Sequence, residues 1–341
     1  MSSPPATAGA FPVAAAPAVY VIHENEEWLV PLRAALEAEG IPWVDWFVHE
    51  GHLDLDAAPP AGVFYNRMSA SSHTRDHRYA AELTAQLLAW LQQHGRRVVN
   101  GRRALQLEVS KFEQYLALRA HGIATPATVA ASGREDIRAA ARALGRTPFI
   151  LKPNRGGKGL GVQLFDDEAA LARWLDGLPD PGAFSLDGIA LLQEYVRPAD
   201  GCITRVEFIG GRYYYAVEVD ASAGFELCPA DACEVGEAYC PAPGAQPKHK
   251  FRLAAAAPEP DFLGRLERFF QANDAEIAAA EFVADAQGRR FVYDVNMNTN
   301  YNRQAELEAG GGRRAMRAVA RFLGRELAAA SVGADDGGRG R

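Results

Sequence analysis

Phe149-Ile150-Leu151-Lys152-Pro153-Asn154-Arg155-Gly156-Gly157-Lys158-Gly159-Leu160-Gly161-Val162-Gln163-Leu164-Phe165 reads as an apolar strand, a glycine-rich turn and a second apolar strand. The four glycines between Asn154 and Val162 remove side chains where the backbone must come close to something, and they allow positive φ. Such a loop can aim several N–H groups at a phosphate, while Lys152, Arg155 and Lys158 bring positive charge. Two familiar phosphate loops are excluded. The Walker A pattern needs Gly-Lys-Ser/Thr and then a helix, whereas Lys158 is followed by Gly159 and a strand. The dinucleotide fingerprint fails on glycine spacing and on the lack of a helix directly after the loop. A phosphate-covering hairpin remains and, for the stretch taken alone, so does a flexible surface hairpin with solvated basic residues.

The surrounding chain has 341 residues, enough for two or three domains and a sizeable core. Its 48% hydrophobic and 23% charged residues are ordinary for a globular protein. A net charge of −7 argues against a general nucleic-acid binder. No apolar run approaches the roughly 18 residues of a membrane span. Residues 1–17, rich in Ala, Pro and Ser, lack the basic start and compact apolar core of a secretory signal. They are expected to be a disordered tail, and the cytoplasm is the expected compartment. Cys228, Cys233 and Cys240 fall in one segment, but their spacing matches no paired zinc pattern, so free or buried thiols are expected.

Upstream of the hairpin, apolar runs at 18–22, 43–48, 62–66 and 97–100 alternate with helical patterns at 26–39 and 79–93. This alternation predicts a small parallel α/β unit over 18–100. Ligands of such units lie at the carboxyl ends of strands, which makes His23, Asn25, Arg67 and Ser69 candidate substrate contacts. Each is equally compatible with an ordinary loop position; Arg67 stands out because a guanidinium there can grip a carboxylate with two hydrogen bonds. A helix carrying Lys111 is expected over 106–121, then an extended segment at 123–129 and a short helix at 136–144.

Downstream, a helix at 167–175 leads to a strand at 189–196 and to a hairpin turning at Gly210-Gly211. Residues 220–250 have no clear period and are expected to form an irregular loop or lid. A helix at 261–273, strands at 277–283 and 290–296, and a helix at 313–327 with a solvated basic face complete the chain, before a tail at 328–341.

The second decisive stretch is Phe291-Val292-Tyr293-Asp294-Val295-Asn296-Met297-Asn298-Thr299-Asn300-Tyr301-Asn302. Strand alternation puts Asp294 and Asn296 on one face, and Glu281 on the preceding strand can lie opposite them. Two carboxylates and an amide oxygen form a hard donor set suited to Mg²⁺ bridging nucleotide phosphates. Alone, Asp-x-Asn at a strand end also fits a turn or a cap.

Together these stretches resemble the ATP-grasp superfamily, and within it the ribosomal-protein glutamate ligase-like (RimK-type) carboxylate–amine ligases. Val109-Ser110-Lys111, with the extended segment from Ile123 to Thr128, is similar to the family's first nucleotide-binding lysine and what trails it. Lys152 resembles the second lysine, and Arg155, Gly156, Gly157, Lys158, Gly159 and Gly161 resemble the loop that closes over the phosphates. Gln193, Glu194, Tyr195 and Val196 are similar to the segment whose backbone reads the adenine edge. Glu281, Asp294 and Asn296 match the metal-ligand triplet, with Glu and Asp exchanged relative to many relatives. The common Asp-x-Arg becomes Ile203-Thr204-Arg205, so the arginine is kept and the acid is not. Where close relatives follow the metal Asn with a small residue and Pro-Gly, this chain has Met297 to Arg303, which points to a different acceptor.

The resemblance implies an α/β pre-ATP-grasp domain at 18–100, followed by a two-lobed ATP-grasp fold of α+β character. Its lobes are expected at 101–190, bearing the lid, and at 191–327, bearing the metal site. It implies an ADP-forming ligase that uses ATP and one or two Mg²⁺ ions, with Mn²⁺ able to stand in. The partners it implies are a small carboxylate and an amine, or a peptide or protein terminus, with neither nucleic acid nor membrane. Arg205 and Arg303 are the arginines expected to steady the acyl phosphate or the substrate carboxylate. An ATP-grasp kinase and a nucleotide-binding module without turnover are the alternatives that the sequence leaves open.

Overall fold

The computed structural model describes residues 11–157, 159–178, 184–220, 251–310 and 314–336. The first unit begins with β1 (Ala18–His23), whose six residues are all buried. It continues through α1 (Glu26–Ala38), β2 (Trp43–Phe47), β3 (Gly62–Asn66), a 3₁₀ turn (Ser72–Arg75), α2 (Ala80–Gln93) and β4 (Arg97–Val99). Its strands form a parallel sheet in the order β2-β1-β3-β4. A central strand with no exposed face is what a continuous apolar run specifies in a sheet covered on both sides. Part of the expected N-terminal tail is in fact docked. Phe11 packs on Trp46 with ring centroids 5.1 Å apart, and Trp46 Nε1 donates to the Pro12 carbonyl at 2.7 Å. Residues 1–10 lie outside the described residues.

The expected helix over 106–121 is two helices, α3 (Arg102–Val109) and α4 (Lys111–Ala120). Ser110 between them is extended (φ −140°, ψ 103°) and caps α4 by accepting the Glu113 N–H at 3.3 Å. Lys111 is therefore the first residue of a helix rather than an interior one. β5 (Thr128–Ala131), α5 (Arg134–Leu144), β6 (Phe149–Pro153), β7 (Gln163–Phe165), α6 (Glu168–Asp176) and β8 (Ala190–Glu194) follow. Their strands make an antiparallel sheet in the order β5-β8-β6-β7, with Ile137, Ala141, Leu171 and Leu175 of the two helices packed against Phe149, Leu151 and Leu192.

The third sheet joins β9 (Cys202–Ile209), β10 (Arg212–Asp220), β11 (Phe251–Leu253), β12 (Ile277–Ala284) and β13 (Arg290–Asn296) in the order β11-β10-β9-β12-β13. One of its faces packs on α3, α4 and α7 (Pro260–Ala272), through Leu107, Leu118, Leu266 and Phe269. The other shares a core with the first unit, in which Leu32, Leu36 and Val63 meet Val217, Val319 and Leu323. The last two of these residues come from α9 (Ala315–Asp336), which follows α8 (Arg303–Glu308) and runs well past residue 327 into the stretch expected as a tail. Burial of its apolar face against α1 and the first sheet extends it. Asn100, at φ 59°, bolts the first and third sheets together. Its Nδ2 donates to the Ile277 and Met297 carbonyls, and its Oδ1 accepts from Glu276 and Ile277 N–H. The expected lid, with Cys228, Cys233 and Cys240, falls at 221–250, outside the described residues. Among the described residues no helix is long and apolar enough to cross a membrane.

Candidate active site

A cavity of about 530 Å³ lies where the second and third sheets face each other and the first unit closes one end. At the opposite end Gln193, Glu194, Tyr195 and Val196 leave β8 along its wall, between the apolar surfaces of Ile150, Val162 and Leu164 on one side and Ile203 and Val283 on the other. Side chains here are tied outward: Gln193 donates to Thr128 Oγ1 at 2.9 Å, and Glu194 binds Arg146 at 2.7 Å and the Ala127 N–H at 3.2 Å. The result is a flat apolar slot edged by backbone.

The two lysines meet in the middle, and the third sheet positions both. Gln114, one turn after Lys111 on α4, accepts the Val295 N–H at 3.0 Å and donates to the Val295 and Leu107 carbonyls, each at 2.8 Å. That clamp on β13 sets Lys111 Nζ against Asp294 Oδ1 as an ion pair. Burial opposes the Lys111 charge, but Asp294, with Glu108 and Glu281, offsets it and holds the pKa above the usual lysine value. Asn154, first residue of the glycine-rich turn, fastens the same helix start from the other side. Its carbonyl accepts the Lys111 N–H at 3.2 Å and its Oδ1 the Phe112 N–H at 2.9 Å. Lys152 is 6% exposed, lies over the Tyr115 ring at 5.3 Å and donates to the Tyr293 carbonyl at 3.4 Å. Burial, and then the neighbouring Lys111, pull its pKa down to about 7.

The acids sit as strand pairing requires. Glu281 and Asp294 are direct register partners, and an irregularity after Glu281 leaves Tyr293 as an extra residue on β13. Asn296 Nδ2 lies 3.4 Å from Glu281 Oε1, which leaves its Oδ1 available to a cation. Burial raises the Glu281 pKa; Arg205 opposes the rise and Asp294 adds to it. Two facing carboxylates and an amide oxygen, with no nitrogen or sulfur donor, fit a hard divalent cation. Among the described residues no group of three His, Cys, Asp or Glu side chains of metal-holding arrangement occurs. Arg205 stands behind them, with Nε on Glu207 at 2.6 Å, Nη1 on Glu281 at 2.6 Å and Nη2 on Thr299 Oγ1 at 2.7 Å.

Gly156, Gly157 and Gly159 of the glycine-rich turn line the cavity, and Gly159 and Gly161 have φ of 72° and 75°, where a side chain would be strained. Gly161 and Arg155 face a second cavity on the far side of the turn. The Arg155 side chain is directed away from the central cavity, to Glu82 at 2.5 Å and the Ala70 carbonyl at 3.4 Å. Lys158 lies outside the described residues.

Of the strand-end candidates only Ser69 lines the cavity. His23 is buried against Asp45 at 2.7 Å, and Asn25 caps α1 by accepting the Trp28 N–H at 3.2 Å. Arg67 is buried with its fork turned onto protein oxygens rather than onto the cavity. Arg303, the first residue of α8, is exposed and does not line the cavity.

Three further wall residues were not singled out from the sequence. Glu108 accepts the Met297 N–H at 2.7 Å and the Ala70 N–H at 3.2 Å, and burial raises its pKa to about 7 against those two bonds. No sequence signal marks it. Asn298 and Asn300 are different, because they continue the alternation of Asp294 and Asn296.

The slot between two antiparallel sheets, with paired lysines and acids at its centre, is an arrangement shared with ATP-grasp folds. Residues 109–226 match the family model described as the RimK-like ATP-grasp domain. A "Probable alpha-L-glutamate ligase" of Pectobacterium carotovorum subsp. carotovorum (strain PC1) is 27% identical over 176 residues, 51% of this chain and 56% of that one. The match to another protein of that name, from Parasynechococcus marenigrum (strain WH8102), spans 21% of its length. Among solved structures, D-alanyl-alanine synthetase A from Vibrio cholerae O1 biovar eltor superposes with a TM-score of 0.61 at 16% identity, over 92% of this chain and 100% of that one. The ATP-grasp ligase PsnB, complexed with a phosphomimetic variant of its minimal precursor, Mg and ADP, gives 0.59 at 16% identity, over 90% and 98%.

Proposed function

We propose that this protein is an ATP-dependent, ADP-forming carboxylate–amine ligase that joins amino acids or peptides through an acyl phosphate. The observation that carries the reading is the convergence of Lys111, Lys152, Glu281, Asp294 and Asn296 at the centre of one cavity whose far end is an apolar slot. The relatives named glutamate ligases support it, as does the Mg and ADP bound in PsnB. Adenine fits the slot along Gln193 to Val196, and Gly156 to Gly161 are backbone donors and hinge positions over the phosphates.

Lys111 and Lys152 neutralise the polyphosphate, the latter acquiring its proton as the anion arrives. Glu281, Asp294 and Asn296 hold Mg²⁺, which when bound screens the charge between nucleotide and carboxylate. The substrate carboxylate oxygen attacks the γ-phosphorus and the bond to the ADP oxygen breaks. The amine then attacks the acyl carbon, phosphate leaves, and the nitrogen loses a proton. Phosphoryl transfer of this kind needs position and charge more than a covalent catalyst, which matches a cavity of cations and acids. Arg205 holds Glu281 and Thr299 in place and lines the wall where the acyl phosphate forms.

The test is Mg-ATP-dependent ADP formation against a panel of amino acids and short peptides, with mass spectrometry of the products. A product equal to two substrates less water is expected. A stable phosphorylated substrate would identify a kinase and overturn the ligase reading.

A further inference from the structure

Past Asn296 the chain leaves β13, yet its alternation continues: Met297 and Thr299 are buried while Asn298 and Asn300 line the cavity. The reason lies in Arg67. Its Nε donates to Asn298 Oδ1 at 3.2 Å, its Nη2 to Asn300 Oδ1 at 2.6 Å and to the Thr299 carbonyl at 3.4 Å, and its Nη1 to the Trp28 carbonyl at 3.1 Å. A guanidinium has donors only, so each asparagine must turn its oxygen to Arg67 and its NH₂ away from it. Neither Nδ2 has a hydrogen-bond partner among the described residues.

Charge points the same way. Arg67 is 3% exposed, and every oxygen it binds is neutral. The buried acids Glu207 and Glu281 are paired with Arg205 rather than with Arg67. Burial pulls the Arg67 pKa below its usual value, the mark of a cation without a counter-charge. Arg67 itself has no acidic partner, and this end of the cavity presents two amide donors made more acidic by the guanidinium behind them.

We propose that Asn298 and Asn300, aligned by Arg67, bind a substrate carboxylate other than the one that is phosphorylated. The inference rests on the ligase reading and adds to it the class of substrate: a dicarboxylic acid, or an amino acid or peptide whose terminal carboxylate is recognised apart from its reacting one. Arg67 is a positioning residue here; the asparagines make the contact.

Asn298→Asp and Asn300→Asp test this without emptying the site. Each keeps the side-chain size and gives Arg67 a carboxylate, so folding is retained, while an NH₂ donor is replaced by an anion. Glutarate, L-glutamate and the dipeptide Glu-Glu are titrated into protein saturated with Mg-ADP, with neutral glutaramide as control, and followed by thermal shift and calorimetry. At least one carboxylate is expected to bind the wild type, with glutaramide failing. Both variants should weaken it at least tenfold and leave the Mg-ADP shift intact. The inference is overturned if no carboxylate binds the nucleotide-loaded wild type, or if binding persists within twofold in both variants. Absence of any Mg-ADP shift in the wild type would instead remove the ligase reading, and this inference with it.

Discussion

Lys152 is buried beside Lys111, with a pKa of about 7, far below the ordinary lysine value of roughly 10.4. In the free protein at pH 8.5 roughly thirty neutral Lys152 side chains therefore stand for each charged one. A polyphosphate placed against it favours the charged form. Binding of a non-hydrolysable Mg-ATP analogue should take up close to one proton at pH 8.5, and log Kd should rise by about one per pH unit between 8 and 9. That window sets aside Glu108, whose pKa of about 7 leaves it ionised throughout, and the nucleotide phosphates, which are fully ionised there.

Calorimetry in buffers of different ionisation enthalpy reads the uptake directly. Lys152→Met, similar in length and without a charge, should bind more weakly and abolish it. The same residue sets a stability slope without ligand. Between pH 7 and about 10.4 the unfolded chain holds the proton that the folded chain lacks, so stability rises with pH, by at most about 1.4 kcal/mol per unit. The Met variant should lack that rise. A binding enthalpy independent of buffer, or a flat Kd from pH 8 to 9 in the wild type, would refute the reasoning.

Gln114→Met should cost about 2–5 kcal/mol in denaturant unfolding, because it strands the Val295 N–H and two carbonyls, and it should weaken nucleotide binding through the displaced Lys111. Asp294→Asn should fold, since the Lys111 contact can be kept as an ammonium–amide hydrogen bond, yet lower ADP formation by about a thousandfold at saturating ATP. Arg303→Ala should leave kcat/KM within about twofold, whereas Arg205→Lys, which breaks a three-way hold on Glu207, Glu281 and Thr299, should reduce it about a hundredfold or more in the same coupled assay.

The parts of this molecule that were legible in the sequence are those set by local period. The hairpin pairs Phe149 with Phe165 and Leu151 with Gln163, as two apolar runs around a glycine-rich turn require. Asp294 and Asn296 share a face because strand side chains alternate. The same period, carried two steps further, reaches Asn298 and Asn300 beyond the strand end. The break at Ser110 is another matter. It depends on Asn154, 44 residues away, capping α4 from within the glycine-rich turn. The length of α9 depends on a face shared with α1 and the first sheet, which no window of its own residues reveals.

Arginines show where local reading ends, because a guanidinium at the mouth of a cavity and one behind its wall have the same sequence context. Arg155 stands in a basic turn, yet Glu82, 73 residues earlier, draws its side chain to the far side. Arg67 stands at a strand end where a carboxylate grip is reasonable, yet its partners are Asn298, Thr299 and Asn300, more than 230 residues later. Its charge still faces the cavity, but it is delivered through two amides whose orientation it enforces. A grip by the fork itself would accept any anion in reach, phosphate included. Two fixed NH₂ groups set by a cation behind them are weaker and more directional, and they favour a planar carboxylate over a nucleotide phosphate. On the proposed arrangement the cavity would separate its two anions by chemistry: the polyphosphate to primary ammonium groups and a divalent cation held by the acids, the substrate terminus to amides.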